Sequence, residues 1–115
     1  MIPDLNQVCI YIKPGSTDMR KQINGLALYV SQEMKKQSMS GDIYLFCGSG
    51  RTLLKAIYWD RNGFCMWQKR LERDRFPWPR TEEEAKKITS EELKMLLLGI
   101  DFFKAHQTLH FSAVS

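Results

Sequence analysis

The pattern of apolar and polar residues predicts four β-strands. Short runs rich in β-branched and aromatic side chains occupy residues 7–12, 42–47, 53–60 and 64–71, and such runs are typical of strands. Asp60-Arg61-Asn62-Gly63 separates the last two runs. It fits a type I turn with a G1 bulge at Gly63, or alternatively a two-residue type I′ turn at Asn62-Gly63. Either turn makes residues 53–60 and 64–71 an antiparallel hairpin.

A helical period lies between the first and second predicted strands. Apolar side chains recur there every three or four residues and form one stripe over four turns: Met19, Ile23, Leu26, Ala27, Val30 and Met34. Thr17 or Asp18 is a suitable N-cap, so the pattern predicts a helix over residues 18–36. We expect this helix and the sheet to share one core.

Proline and capping signals organise the rest of the chain. Phe76-Pro77-Trp78-Pro79 must leave the sheet, because proline cannot donate a ladder hydrogen bond. Capping-box patterns follow at residues 81–84 and 89–92, and the second opens an apolar helical face. The prediction is a single α+β domain over residues 1–115, with a mostly antiparallel sheet in the order β-α-β-β-β-α and a long helix packed on the sheet. Its core spans about residues 7–101, and residues 102–115 are expected to be loosely held.

Composition predicts a folded cytoplasmic protein. The chain has 115 residues, of which 43% are hydrophobic and 26% charged, as is usual for one globular domain. No apolar run approaches the roughly 20 residues that cross a bilayer. The N-terminus has no basic segment or cleavage site of a secretory signal. We therefore predict a cytoplasmic location without membrane association. Cys9, Cys47 and Cys65 lie in apolar runs, and we interpret them as small hydrophobic residues.

Catalytic motifs are not recognisable in the sequence. There is no G-x-S-x-G, and Gly48-Ser49-Gly50 lacks the spacing of a phosphate-binding loop, so we interpret it as a hairpin turn. His106 and His110 have no acidic or cysteine partner with metal-ligand spacing. We predict that the protein is not an enzyme and that it has no catalytic residues, no metal site, no cofactor and no small-molecule substrate.

Positive charge is concentrated in one segment. The net charge is +4, but residues 51–80 alone carry +5 and the remainder carries −1. The basic residues of this segment are Arg51, Lys55, Arg61, Lys69, Arg70, Arg73, Arg75 and Arg80. An anionic partner would therefore be attracted to residues 51–80.

Several motifs in order resemble one protein family. They are STDMRKQINGLALYV, DIYLFC and LLKAIYWDRNGFCMWQKRLERDRFPWPR. This string resembles the small accessory protein, TnpB or Orf2-like, of IS66-type bacterial insertion sequences, over roughly residues 8 to 101. Two departures stand out. CGSGRTLLK has only Arg51 and Lys55 where the family usually carries several arginines, and Ser16 stands where the family has proline.

The resemblance implies a protein encoded beside a transposase and needed for efficient transposition. It also implies that the catalytic acids belong to the larger transposase subunit, which is then a partner of this chain. DNA is the second expected partner.

Two hypotheses compete for the basic segment. In the first, it binds nucleic acid. Lys55 and Lys69 would share a sheet face, Arg70, Arg73 and Arg75 would follow the phosphate backbone, and Trp78 would offer a stacking plane. In the second, Phe76 and Trp78 dock the transposase as an aromatic anchor, with Arg73 and Arg75 as interface residues, and the protein touches no DNA. Tyr58, Trp59, Phe64 and Trp67 are interpreted under both as core or cross-strand residues.

Overall fold

The computed structural model describes residues 7–81 and 87–99. Within them, one five-stranded sheet carries a helix on each face. The elements are β1 (Ile10–Ile12), α1 (Ile23–Gln32), β2 (Ile43–Cys47), β3 (Leu53–Asp60), β4 (Gly63–Arg70), β5 (Lys87–Ile88) and α2 (Ser90–Leu97). The α+β class is therefore confirmed.

The sheet has the spatial order β4-β3-β2-β1-β5. β1 and β2 are parallel and are joined through α1, whereas the other three neighbouring pairs are antiparallel. This confirms a mostly antiparallel sheet. β5 is an addition to the predicted order, and its two residues are too short for a sequence pattern to reveal.

The hairpin of β3 and β4 forms at the predicted place, but its turn is of neither predicted type. Asp60 pairs with Gly63, which leaves Arg61 and Asn62 as the loop. The Asn62 amide donates to the Asp60 carbonyl across Arg61, whose φ is +55°. This is the hydrogen bond of a γ-turn. Gly63 has no positive φ, so both the G1 bulge and the Asn62-Gly63 type I′ turn were wrong.

Helix α1 is shorter than the predicted helix over residues 18–36. Thr17 is held to β2 by its amide, which donates to the Cys47 carbonyl at 2.8 Å. The Asp18 carboxylate accepts the Arg20 amide at 2.9 Å, so it caps a turn instead of a helix. The helix consequently starts at Ile23 with no side-chain cap, and it ends at Gln32 before Lys35, whose φ is +56°.

The apolar stripe of α1 covers one face of the sheet, as predicted. Leu26, Ala27 and Val30 are buried against alternate side chains of β2 and β3. We call this group the α1 cluster: Leu26, Ala27, Val30, Tyr44, Phe46 and Ile57. Because β-strand side chains alternate, the intervening residues of the same strands face the other helix.

Helix α2 covers the opposite face. The Thr89 hydroxyl accepts the Glu92 amide and the Glu92 carboxylate accepts the Thr89 amide, which confirms the second predicted capping box. Leu93 and Leu96 pack with buried side chains of the sheet and of the segment after β4. We call this group the α2 cluster: Ile10, Ile12, Ile43, Leu45, Cys47, Leu54, Ala56, Tyr58, Phe76, Trp78, Ile88, Leu93 and Leu96. The first predicted capping box, at residues 81–84, extends outside the described residues, and the predicted tail at residues 102–115 lies wholly outside them.

Candidate nucleic-acid interface

Residues 71–80, which we call the exit segment, cross the end of the sheet after β4. The Leu71 amide donates to the Thr52 carbonyl at 2.8 Å, and the Phe76 amide donates to the Arg51 carbonyl at 2.7 Å. Beyond these, the Pro79 carbonyl accepts the Gly15 amide at 2.8 Å. The exit segment is therefore fixed at three points, from the β2–β3 turn to the loop after β1.

Arg51 also anchors this segment. Its Nη1 donates to the Trp78 carbonyl at 2.9 Å, and its own φ of +62° places it in the left-handed region. The close approach of the β2–β3 turn to the α1 side depends on Gly48, because a Cβ there would lie 2.7 Å from Met19 Cγ. Gly48-Ser49-Gly50 lies between β2 and β3, in the predicted hairpin turn. Arg51, directly after it, holds the exit segment to this turn.

Phe76 and Trp78 point into the α2 cluster. Their exposed fractions are 2% and 6%, and Trp78 Nε1 donates to the Lys13 carbonyl at 2.9 Å. The prediction that Trp78 offers a free stacking plane was wrong, because the α2 cluster covers the ring. The prediction that Phe76 and Trp78 serve as an aromatic anchor for a partner is wrong for the same reason, since both rings are buried in the fold.

Lys55 is buried beneath the turn that precedes α1. It is 3% exposed, and its Nζ donates to the Met19 carbonyl at 2.7 Å and the Lys21 carbonyl at 2.9 Å. Charge-assisted bonds of this kind satisfy a buried ammonium group without a carboxylate. Lys55 therefore ties β3 to the chain before α1 and is not available to a phosphate.

Lys69 lies on the other face of the sheet. Leu54 is its partner across the ladder, whereas Lys55 pairs with Gln68. The prediction that Lys55 and Lys69 share a face was therefore wrong by one position of register. Lys69 Nζ donates to the Leu97 carbonyl at 2.8 Å, and a cation at a helix C-terminus is favourable there.

Arg70, Arg73 and Arg75 are the exposed members of the predicted site. Arg70 pairs with Glu72 at 3.0 Å, but both side chains are at least 70% exposed, so this pair contributes little to stability. Within residues 7–81 and 87–99, Arg73 and Arg75 form no salt bridge. The structure therefore places Arg70 at the end of β4 and Arg73 and Arg75 on the exit segment, all three exposed to solvent.

The hairpin aromatics have the predicted structural role. Tyr58 belongs to the α2 cluster and Trp67 packs against it. Trp59 and Phe64 form a cross-strand pair, with ring centroids 5.0 Å apart and planes at 75°. Such edge-to-face pairs add to the stability of a hairpin.

The cysteines are free thiols. Cys47 is buried, as predicted, and burial raises its pKa to about 11, so this thiol is unreactive at neutral pH. Cys9 and Cys65 are only partly buried. In the described part of the chain, no three His, Cys, Asp or Glu side chains are grouped so as to hold a metal ion. No described helix has the length and apolar character needed to cross a membrane.

These features define a small α+β protein whose candidate site consists of three exposed arginines, Arg70, Arg73 and Arg75. The family model described as IS66 Orf2 like protein matches residues 8–107, so the chain belongs to that family. This confirms the resemblance seen in the sequence, and the family supports an accessory role in transposition.

Two relatives come from Sinorhizobium fredii (strain NBRC 101917 / NGR234). Uncharacterized protein y4hO is 39% identical over 108 residues, covering 94% of this chain and 94% of the relative. Uncharacterized protein y4jC is 30% identical over 93 residues, covering 81% of this chain and 80% of the relative. No solved structure matches the chain significantly.

Proposed function

We propose that the protein is a non-catalytic, cytoplasmic accessory subunit of bacterial DNA transposition that binds DNA through Arg70, Arg73 and Arg75. The observation that carries this proposal is the exposure of all three arginines on a backbone fixed at Thr52, Arg51 and Gly15. Lys55, Lys69 and Trp78 are left out of this interface because each is engaged in the fold.

Arginine suits this task chemically. Its planar guanidinium donates two parallel hydrogen bonds to a phosphate and keeps its charge at any physiological pH. Glu72 and Asp74 lie between the arginines in the sequence, and their negative charges reduce the positive potential of this segment. We therefore expect weak binding that reads the DNA backbone and not its sequence, with a Kd of about 10⁻⁴ to 10⁻⁶ M.

The test is the salt dependence of binding to a fluorescent DNA duplex. Each lost phosphate contact flattens the plot of log affinity against log salt by about 0.9. Arg73→Ala with Arg75→Ala should flatten it by up to about 1.8 without lowering the melting temperature. A matched double variant, Lys21→Ala with Arg61→Ala, removes the same charge from two exposed sites outside the exit segment and should leave the slope nearly unchanged. Equal slopes for the two double variants would contradict the proposed interface.

Docking to the transposase subunit is the competing outcome. The burial of Phe76 and Trp78 means that docking at the exit segment would have to use its exposed arginines. Wild-type protein that binds no duplex at low salt, yet is retained by its own immobilised transposase subunit, would replace DNA binding with docking.

A further inference from the structure

A cleft of about 380 Å³ lies on the α1 side of the sheet, at β1. β1 contributes Tyr11, and Lys13 follows it two residues later on the same face, as the alternation of strand side chains requires. The end of α1 and the loop after it supply the opposite wall. The polar and aromatic side chains of the lining are Tyr11, Lys13, Tyr29, Glu33, Lys35 and Lys36.

The two tyrosines and two of the lysines are already paired. Lys36 Nζ lies 4.4 Å from the centre of the Tyr11 ring, and Lys13 Nζ lies 5.5 Å from that of Tyr29. Behind this surface, Tyr11 stacks on Tyr44 with ring centroids 5.6 Å apart and planes at 15°. Tyr11 is thus held between Tyr44 on one ring face and the ammonium group of the exposed Lys36 on the other.

The cleft combines what a nucleotide requires. The lining contains three lysines and one carboxylate, so the cleft has a positive excess, and one of the ammonium groups, Lys13 Nζ, already donates to the Ser16 carbonyl at 2.7 Å. Aromatic rings beside lysines are the usual means of binding unpaired nucleotides, since the ring stacks on the base and the cation binds the phosphate. A ligand would exchange the Lys36–ring contact for a base–ring contact, while Lys36 moves to the phosphate.

We propose that this cleft binds an unpaired nucleotide, with the base against Tyr11 and the phosphate on Lys35 and Lys36. The site is separate from the exposed arginines, and it rests on the proposed function only for the expectation that the nucleotide belongs to a DNA strand.

The position of the cleft agrees with a nucleotide that belongs to a DNA strand. Lys13, directly after β1, lies at the same end of the sheet as Arg70, the last residue of β4. This follows because β1 and β2 are parallel, whereas β2 with β3 and β3 with β4 are antiparallel. Three strand spacings separate β4 from β1, which is roughly 14 Å. That distance equals about four base steps of duplex. An unpaired strand at the end of DNA bound at the exit segment would therefore lie within reach of the cleft.

The experiment measures binding of a fluorescent ten-nucleotide thymidine strand to the full chain as salt is varied. Lys35→Gln with Lys36→Gln should flatten the salt slope by about 1.4, at about 0.7 per contact on single strands. Lys21→Gln with Lys94→Gln is the matched control, since both side chains are exposed and outside the cleft. Burial lowers the pKa of Lys13, so the two exposed lysines are the better choice for substitution. Tyr11→Leu should weaken binding about 5- to 150-fold with little change in slope.

Three results would overturn the cleft proposal. The first is a wild-type protein that does not bind the strand. The second is a Lys35/Lys36 double variant that behaves as its control does, and this decides the matter even if Tyr11→Leu fails to fold. The third is competition by inorganic phosphate as effective as competition by thymidine monophosphate, which would make the cleft an anion site without base recognition. Duplex binding that still depends on Arg73 and Arg75 in any of these cases would leave the proposed function standing.

Discussion

At the scale of single residues, the fold divides the basic side chains of residues 51–80 into two groups. Arg51, Lys55 and Lys69 donate to backbone carbonyls of distant segments. Arg73 and Arg75 are exposed. Sequence locates the excess of charge but not this division, because each carbonyl partner lies 27 to 36 residues away along the chain.

Lys55 gives a prediction at this scale. Lys55→Met keeps the length of the side chain but leaves the Met19 and Lys21 carbonyls without their donor. Each unsatisfied buried group costs about 1–3 kcal/mol, so we expect the free energy of unfolding in urea to fall by about 3 kcal/mol. Lys21→Met, at an exposed site, should change it by less than about 0.5 kcal/mol. A loss below about 1 kcal/mol for Lys55→Met would show that the carbonyls find other partners.

At the scale of elements, local pattern predicts the interior of a helix or strand better than its ends. β3 occupies residues 53–60 as predicted, because a short apolar run and the turn that follows it mark both ends of the strand in the sequence itself. α1 instead loses its predicted first turn, since Asp18 caps the Arg20 amide and Thr17 is held by β2. The Thr17 bond is a tertiary contact that a capping pattern does not contain, whereas the Asp18 bond is a local turn that competes with the helix for the same carboxylate.

The apolar stripe of α1 supplies a paired test. Leu26 is 0% exposed and Leu28 is 54% exposed, two residues apart on one helix. Leu26→Asp would bury an unpaired charge and should cost on the order of 3 kcal/mol or more. Leu28→Asp makes the same chemical change in solvent and should cost less than about 1 kcal/mol. Both are measured by urea unfolding, and similar losses for the two variants would place the helix in a different rotation on the sheet.

At the scale of the whole molecule, the sequence predicts the class but not the topology. Hairpins are visible locally, whereas the parallel pairing of β1 with β2 and the addition of β5 beside β1 join segments that no local pattern relates. The same limit applies to the candidate sites. The arginine-rich exit segment is apparent from charge alone, but the nucleotide cleft requires Tyr11 of β1 to meet Lys36 beyond α1. In the sequence, the local signals of this cleft are the Lys35-Lys36 pair and the placement of Tyr11 and Lys13 two residues apart.

The two clusters should unfold together, because β2 supplies both. Tyr44 and Phe46 belong to the α1 cluster, and Leu45 between them belongs to the α2 cluster. In a Trp59→Phe background, tryptophan fluorescence reports Trp67 and Trp78, which both lie against the α2 cluster. Leu26→Ala, in the α1 cluster, should cost about 2–5 kcal/mol and lower the melting temperature by roughly 8 °C or more. The fall should be the same by fluorescence and by far-ultraviolet circular dichroism. A fluorescence transition that stays at the temperature of the Trp59→Phe parent while the dichroism transition falls would mean that the two faces of the sheet unfold separately.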